Sequence, residues 1–486
     1  MGTALHIVGL GCARNDVDAE ELAARFAGAG FDLVDEPERA AVVVVNTCGF
    51  IEAAKAESID EILSAAQLKA DGTVRTVIAT GCLAERYGAD LAASLPEADA
   101  VIGFDGYDAI ADTVRQVMAG RTVTAHRPVD RRRALPLAPA QRQPAGEGKM
   151  PAWLPAQRHR LGDSPMAPLK IASGCDRRCA FCAIPSFRGA LVSRPVADIT
   201  REAAWLASQG VKELFLVSEN TTSYGKDLDR ADTLELLLAK LSAIDGIEWI
   251  RLSYLQPAEV RPSLVDAIAA TPKVVPYFDL PFQHAAGPLL RRMRRFGDAE
   301  SFLDLLATVR RAVPAAGIRS NVIVGFPGET EADVDTLRQF LGDAGLDAVG
   351  VFPYSDEDGT EAATLDGHLD ADEIRDRTAD VVALADTLMA VRAEERIGEV
   401  VSVLIESGDD AADAGRAGQQ GPEDGRTTVA RAGSARRRPG DIVTGTITAT
   451  DGVDWLVSPQ SELNGGAVSR RHAPGQGCDR MQVERK

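Results

Sequence analysis

Residues 169–182 read LKIASGCDRRCAFC, and this stretch decides how the centre of the chain is interpreted. The apolar run Leu169–Ala172 is typical of a buried strand, and three cysteines follow it at the spacing CxxxCxxC. A cubane cluster has four irons, so three thiolates leave one iron without a protein ligand. The spacing therefore predicts a reactive [4Fe–4S] cluster on Cys175, Cys179 and Cys182. The alternative is a zinc site that lacks its fourth ligand, since the next His or Cys is His284.

The same strand is the first of a series that alternates with amphipathic helical segments from residue 166 to about residue 396. Repeated strand–helix units are typical of an α/β barrel, here a partial barrel open on one side. The predicted strands are Leu169–Ala172, Glu213–Val217, Trp249–Ser253, Tyr277–Leu280, Ser320–Val324 and Ala348–Phe352. The predicted helices include Ile199–Ser208, Ser301–Arg311 and Val334–Leu341.

Residues 1 to about 120 show the pattern of a smaller parallel α/β domain. Its apolar runs are His6–Leu10, Val42–Val45 and Thr76–Ala79, and helical segments lie between them at Asp16–Ala29 and Ile51–Ala70. Leu, Ile, Val and Ala dominate the chain and only 5% of residues are aromatic, which suits α/β packing.

A cysteine next to a glycine follows each of these three apolar runs. Cys48 lies 36 residues after Cys12, and Cys82 lies 34 residues after Cys48, about one βαβ repeat each. Because parallel strands end at one edge of a sheet, the three thiols are expected to converge there. The pattern predicts a second cluster with an open iron. The alternative is three buried cysteines with a structural role only.

The remaining segments differ in composition from these two domains. Residues 121–165 carry three consecutive arginines and several prolines, which predicts a linker that is poorly ordered in part. Residues 397–460 contain short strands, Val400–Ile405, Ile442–Ile447 and Trp455–Val457, which favour a small β-barrel. Asp409–Gly425 is predicted to be a mobile loop. Residues 461–486 are predicted to be a tail, in which Cys478 is a free thiol without a role.

The net charge of −19 is consistent with solubility alone, or with a basic protein partner; it disfavours phosphate backbones. The cysteines are interpreted as metal ligands in a reducing cytoplasm rather than as disulfides. No stretch reaches the roughly 20 apolar residues that cross a bilayer, and the first residues lack a basic n-region. We therefore expect a cytoplasmic protein without a signal peptide.

With both cysteine sets in place, almost the whole chain resembles the radical S-adenosylmethionine methylthiotransferase family. NTCGFI at 46–51 and ATGCL at 79–83 resemble its N-terminal domain, residues 173–189 resemble its radical domain, and the last module resembles a TRAM domain, although the insertion at 409–425 and the tail depart from that pattern. The resemblance implies two [4Fe–4S] clusters and S-adenosylmethionine. It implies cofactor contacts at Phe181, Ser218, Glu219, Asn220, Asn321 and Gly325. The alternatives are a solvated loop at 218–220 and a plain strand-to-helix turn at 325–328.

Two branches of this family differ in substrate. DLPFQH at 279–284 and YSDEDGT at 354–360 resemble the RimO branch, which modifies the β-carbon of an aspartate of ribosomal protein uS12. The MiaB-like and MtaB-like branch modifies tRNA adenosines and usually has Gln-Ser-Gly at the first segment. The resemblance implies uS12 as partner, free or in the small subunit, with an electron donor such as flavodoxin or ferredoxin, a sulfur donor, and a monomeric enzyme. Two further hypotheses are a radical isomerase whose N-terminal cluster relays electrons and a non-enzymatic cluster carrier.

Overall fold

A computed structural model describes residues 2–134, 158–228, 233–408, 412–431 and 436–460 of the chain. The predicted tail and Cys478, the centre of the predicted linker and residues 409–411 of the predicted loop lie outside these ranges. No helix among the described residues is long and apolar enough to cross a membrane.

The N-terminal domain is a five-stranded parallel sheet in the order β2-β1-β3-β4-β5. Strands β3 and β4 are buried along their whole length, in agreement with the apolar runs Val42–Val45 and Val77–Ala79 within them. The strands are β1 (Thr3–Gly9), β2 (Phe31–Leu33), β3 (Val42–Thr47), β4 (Thr76–Gly81) and β5 (Ala100–Val101). The helices are α1 (Ala13–Gly28), α2 (Glu52–Ala70), α3 (Cys82–Ser94) and α4 (Ile110–Met118).

The central domain is an open barrel of two three-stranded parallel sheets, β10-β9-β6 and β11-β12-β13, plus the hairpin β7-β8. The two sheets meet where Val275 N donates to Ile250 O at 3.0 Å and Leu255 N donates to Asp279 O at 2.7 Å. The strands are β6 (Met166–Lys170), β7 (Ala172–Ser173), β8 (Val192–Ser193), β9 (Glu213–Val217), β10 (Trp249–Leu252), β11 (Tyr277–Asp279), β12 (Gly317–Val324) and β13 (Ala348–Pro353). The helices are α5 (Ile184–Arg188), α6 (Val196–Ser208), α7 (Leu234–Ser242), α8 (Pro262–Ala270), α9 (Gly287–Arg292), α10 (Ala299–Ala312), α11 (Glu331–Ala344) and α12 (Ala371–Glu395).

The C-terminal domain is a closed five-stranded barrel in the order β14-β15-β16-β18-β17. Its strands are β14 (Val400–Gly408), β15 (Asp413–Ala417), β16 (Thr427–Val429), β17 (Ile442–Asp451) and β18 (Asp454–Pro459). The α/β class, the open central barrel and the small final barrel are therefore confirmed.

The prediction of a mobile loop at Asp409–Gly425 was wrong for its described part. Asp413–Ala417 forms β15, all of whose residues are buried. Arg416 of this strand makes a salt bridge with Glu213 of β9 at 2.8 Å, and Arg251 Nη1 donates to Gly418 O at 2.8 Å. The sequence DAGRA has no apolar alternation that would predict a strand. Long-range charge contacts and closure of the barrel order this segment instead.

Candidate iron–sulfur and S-adenosylmethionine site

The cysteines of the N-terminal domain lie at one edge of its sheet. Thr47 and Gly81 are directly opposite each other in the β3–β4 pair, so Cys48 and Cys82 leave neighbouring strands at the same level. Cys12 is the residue directly before α1, three residues after β1 ends at Gly9. The structure thus brings the ends of the three strands together, as the spacing predicted.

Asn15 connects the loops that carry these cysteines. Its side-chain amide donates to Leu10 O at 2.6 Å and to Asn46 O at 3.0 Å, and the Asn46 amide donates back to Asn15 O at 2.8 Å. Gly11 has φ +89°, and a Cβ there would lie 2.7 Å from Cys48 Sγ. Only glycine permits this close approach of the Cys12 loop to Cys48.

Burial and neighbouring thiolates disfavour the ionisation of Cys48 and Cys82. Burial raises the pKa of Cys82 to about 12, and the charges of Cys12 and Cys48 raise it while Arg188 lowers it. Arg188 donates to Cys82 Sγ at 3.0 Å and to Asp18 Oδ2 at 2.7 Å. Iron binding requires thiolates, so metal loading at neutral pH must release protons here, and Arg188 stabilises the charged sulfur.

The second triad lies in the loop between β7 and α5. Cys175 N donates to Gly189 O at 3.1 Å, and Arg177 N donates to Cys175 Sγ at 3.4 Å. Arg295 Nη1 lies 3.8 Å from Cys179 Sγ. Burial raises the pKa of Cys175 and of Cys182 to about 12.

Two arginines and one glutamate connect the two triads. Arg14 of α1 donates to Ser218 O at 3.0 Å, and its Nε lies 3.6 Å from Glu219 Oε1. Arg188 Nε lies 3.8 Å from the same oxygen. The charge of Arg14 lowers the pKa of both Cys48 and Cys182, although burial outweighs it at each thiol. The two triads therefore face a common region around Arg14 and Glu219.

The predicted cofactor residues after β9 are buried rather than solvated. Ser218, Glu219 and Asn220 are at most 5% exposed. Asn220 is fixed by Thr222 Oγ1, which donates to Asn220 Oδ1 at 2.5 Å. Both carboxylate oxygens of Glu219 are buried without a hydrogen-bond donor among the described residues.

The other predicted cofactor residues differ in their surroundings. Phe181 packs on the core of the central domain, and Asn321 has a buried Oδ1 that no described donor satisfies. Gly325 has φ +84°, and a Cβ there would lie 2.7 Å from Ile374, so helix packing already explains this glycine. His284 is fully buried, and burial lowers its pKa to about 4. Its Nδ1 accepts from Ala286 N at 3.0 Å, which is a structural role.

Three residues of this region were not identified from the sequence: Arg14, Arg188 and Glu259. Glu259 follows β10 and accepts from Ser223 Oγ at 2.7 Å and from Lys226 Nζ at 2.5 Å. It also pairs with Arg177 of the second triad loop. No local pattern marks these residues, because their partners are distant in sequence.

The donor set fits iron–sulfur clusters. Each triad combines three cysteines with a guanidinium group near one sulfur atom, and the backbone N–H of Arg177 also donates to Cys175 Sγ. Among the described residues, no group of three or more His, Cys, Asp or Glu side chains is gathered closely enough to hold a metal ion, so the fit of each triad rests on its residue types and neighbours. The unsatisfied Glu219 and Asn321 oxygens fit a ligand that carries hydrogen-bond donors.

Two family models and many curated proteins match this chain. Residues 4–103 match the model of the uncharacterized protein family UPF0004, and residues 169–341 match the radical SAM superfamily. The chain is 56% identical to the ribosomal protein uS12 methylthiotransferase RimO of Cutibacterium acnes, over 94% of this chain and 98% of that protein. It is 57% identical to the protein of the same name from Kineococcus radiotolerans, over 93% and 96%.

The fold also resembles a solved structure. The radical S-adenosylmethionine methyltransferase TsrM from Kitasatospora setae, with cobalamin and a [4Fe–4S] cluster bound, matches with a TM-score of 0.51 at 15% identity, covering 73% of this chain and 75% of that one. This match supports the fold alone, whereas the full-length identities decide the family. The chain belongs to the RimO family of radical S-adenosylmethionine methylthiotransferases.

Proposed function

We propose that this enzyme methylthiolates the β-carbon of an aspartate in ribosomal protein uS12. The observation that carries the proposal is the pair of cysteine triads that face Arg14 and Glu219, in a chain whose relatives carry the uS12 methylthiotransferase name. A β-carbon C–H bond is not acidic enough for a side-chain base, so radical chemistry is required.

Cys175, Cys179 and Cys182 would hold the cluster that binds S-adenosylmethionine, and Cys12, Cys48 and Cys82 would hold the second. When bound, these groups supply reductive cleavage of S-adenosylmethionine and a source of sulfur. The protein's own part is to hold the six thiolates and to exclude water. Burial disfavours the free thiolates of Cys82, Cys175 and Cys182.

Glu219 is the residue best placed to orient S-adenosylmethionine. Its buried carboxylate would accept hydrogen bonds from the amino group of the ligand, while Arg14 and Arg188 balance its charge when the ligand is absent. Ser218 and Asn220 would shape the ribose contact, and Phe181 and Asn321 would line the remainder. Gly325 is included only because it directly follows β12. Ile374 already occupies the space that a side chain on Gly325 would fill.

The net charge of −19 favours a basic protein such as a ribosomal protein over a nucleic acid. The proposal includes a cytoplasmic monomer that receives electrons from a flavodoxin or ferredoxin and sulfur from a separate donor. The uS12 protein would be modified either free or in the small subunit.

Mass spectrometry of uS12 and of tRNA nucleosides, from cells with and without this gene, tests the substrate. We expect one methylthio group on an aspartate of uS12 only when the gene is present. If uS12 is unchanged and a methylthiolated adenosine disappears instead, the substrate proposal is wrong.

A further inference from the structure

The loop that follows the last strand of the central barrel binds the N-terminal domain through a buried ion pair. Glu357 Oε2 lies 2.7 Å from Arg86 Nη1 of α3 and 3.2 Å from Lys55 Nζ of α2. The side chains of Glu357 and Arg86 are each 6% exposed, and that of Lys55 is 11% exposed. Solvent therefore screens this cluster weakly, and loss of one partner would leave buried charge.

Neighbouring contacts reinforce the same junction. Asp358 accepts from Tyr87 through its carboxylate at 3.1 Å and from Arg86 through its backbone carbonyl at 3.1 Å. The Arg86 guanidinium also packs on the Tyr87 ring, 5.2 Å from its centre. We call Glu357, Arg86 and Lys55 the clasp.

The clasp is connected directly to two of the cysteine loops. Arg86 lies one turn into α3, whose first residue is Cys82, and it donates to the Gly49 carbonyl next to Cys48 at 3.0 Å. Lys55 lies in the first turn of α2, and Ser58 of the same helix donates to Cys48 O at 3.0 Å. A displacement of Glu357 would therefore change the positions of both Cys48 and Cys82.

The other edge of the open barrel is held separately. Lys170 of β6 is fully buried and pairs with Asp18 Oδ1 at 2.5 Å and with Glu21 Oε2 at 3.1 Å. Both carboxylates lie on α1, the helix that begins after Cys12. The N-terminal domain is thus fixed at both ends of the barrel opening, with Cys12 nearest one contact and Cys48 and Cys82 nearest the other.

We propose that Glu357 is a positioning residue that couples S-adenosylmethionine cleavage to methylthiolation by fixing the Cys48 and Cys82 loops relative to the central domain. This inference rests on the proposed function. Cleavage of S-adenosylmethionine would require the central domain alone, whereas formation of methylthiolated uS12 would require both triads in the correct relative position. Reactions between held groups are sensitive to displacements of about 1 Å, which can reduce rates by about a hundredfold.

The test compares Glu357→Gln with Glu361→Gln in the loaded enzyme acting on uS12. Glu361 lies four residues further on and pairs with Arg294 of its own domain at 2.6 Å, so it is a matched control. In Glu357→Gln the yield of methylthiolated uS12 per 5′-deoxyadenosine should fall at least about tenfold, while 5′-deoxyadenosine formation stays within about twofold. Glu361→Gln should leave both unchanged.

A second measurement uses the iron-free protein and therefore does not depend on turnover. Hydrogen exchange should be faster in peptides around residues 49–58 and 82–88 of Glu357→Gln, but not of Glu361→Gln. The effects of Arg86→Gln and Glu357→Gln on the ratio of methylthiolated uS12 to 5′-deoxyadenosine should not add in the double variant, because both substitutions remove the same interaction. The proposed role of Glu357 is wrong if the ratio of methylthiolated uS12 to 5′-deoxyadenosine is unchanged in Glu357→Gln, or if both products fall equally. If the wild type does not modify uS12 at all, the proposed function fails instead.

Discussion

Glu259 shows how one carboxylate orders the loops around the predicted radical site. Burial alone would raise its pKa, but hydrogen bonds from Lys226 and Ser223 and the charge of Arg177 lower the pKa to about 2. The Asn220 amide donates to the same carboxylate at 3.3 Å. Glu259 thus joins the cysteine loop to the loop predicted to bind S-adenosylmethionine.

Glu259→Gln should destabilise the iron-free protein at neutral pH by about 2 kcal/mol, the scale of hydrogen bonds to a charged group. Since the folded pKa is depressed from 4.5 to about 2, the stabilisation is present above pH 4.5 and is lost as the pH falls toward 2. The gap in thermal unfolding midpoint between wild type and variant should be constant from neutral pH to about 5 and narrow below. Exposed Glu300→Gln is the control. A gap that widens in acid would contradict this assignment.

At the scale of elements, strands with continuous apolar runs were predictable, and Glu213–Val217 is observed with the predicted bounds. Helix starts were less predictable, because capping extends them beyond the apolar pattern. Thr330 caps α11 with Asp333, so the helix begins at Glu331 instead of Val334. β15 was missed because its partners, Glu213 and Arg251, lie far away in sequence.

The junction between β15 and the central barrel gives the prediction at this scale. Glu213 is fully buried and accepts from Arg251 Nε at 2.6 Å and from Arg416 Nη2 at 2.8 Å. Glu213→Gln would leave the buried Arg251 guanidinium without a counter-charge, whereas Arg416 keeps Glu406 at 2.6 Å. Loss of one partner of a buried ion pair typically costs about 3–5 kcal/mol. Hydrogen exchange should accelerate in residues 412–431, while exposed Glu248→Gln has no effect. Unchanged protection of these residues would show that packing alone docks the C-terminal barrel.

At the scale of the whole molecule, the sequence places the six cysteines on two domains because each follows a recognisable apolar run. It does not predict how the domains meet. Arg188 and Cys82 are 106 residues apart, and Lys55 and Glu357 are 302 residues apart, so no local pattern reports either contact. The segment 354–360, together with 279–284, indicated the branch of the family, yet its contact with α2 and α3 is evident only in the fold.

The division of labour between the two domains can be tested by removing one triad. Replacing Cys12, Cys48 and Cys82 with Ala should reduce the iron content from about eight to about four per chain, since each four-iron cluster needs its own thiolates. S-adenosylmethionine cleavage should continue, because Cys175, Cys179 and Cys182 and the Glu219 loop remain. The methylthio product should be lost. Cys478→Ala is the matched control and should retain about eight irons. A triple variant that still binds two clusters, or that still forms product, would show that sulfur delivery does not depend on the N-terminal sheet edge.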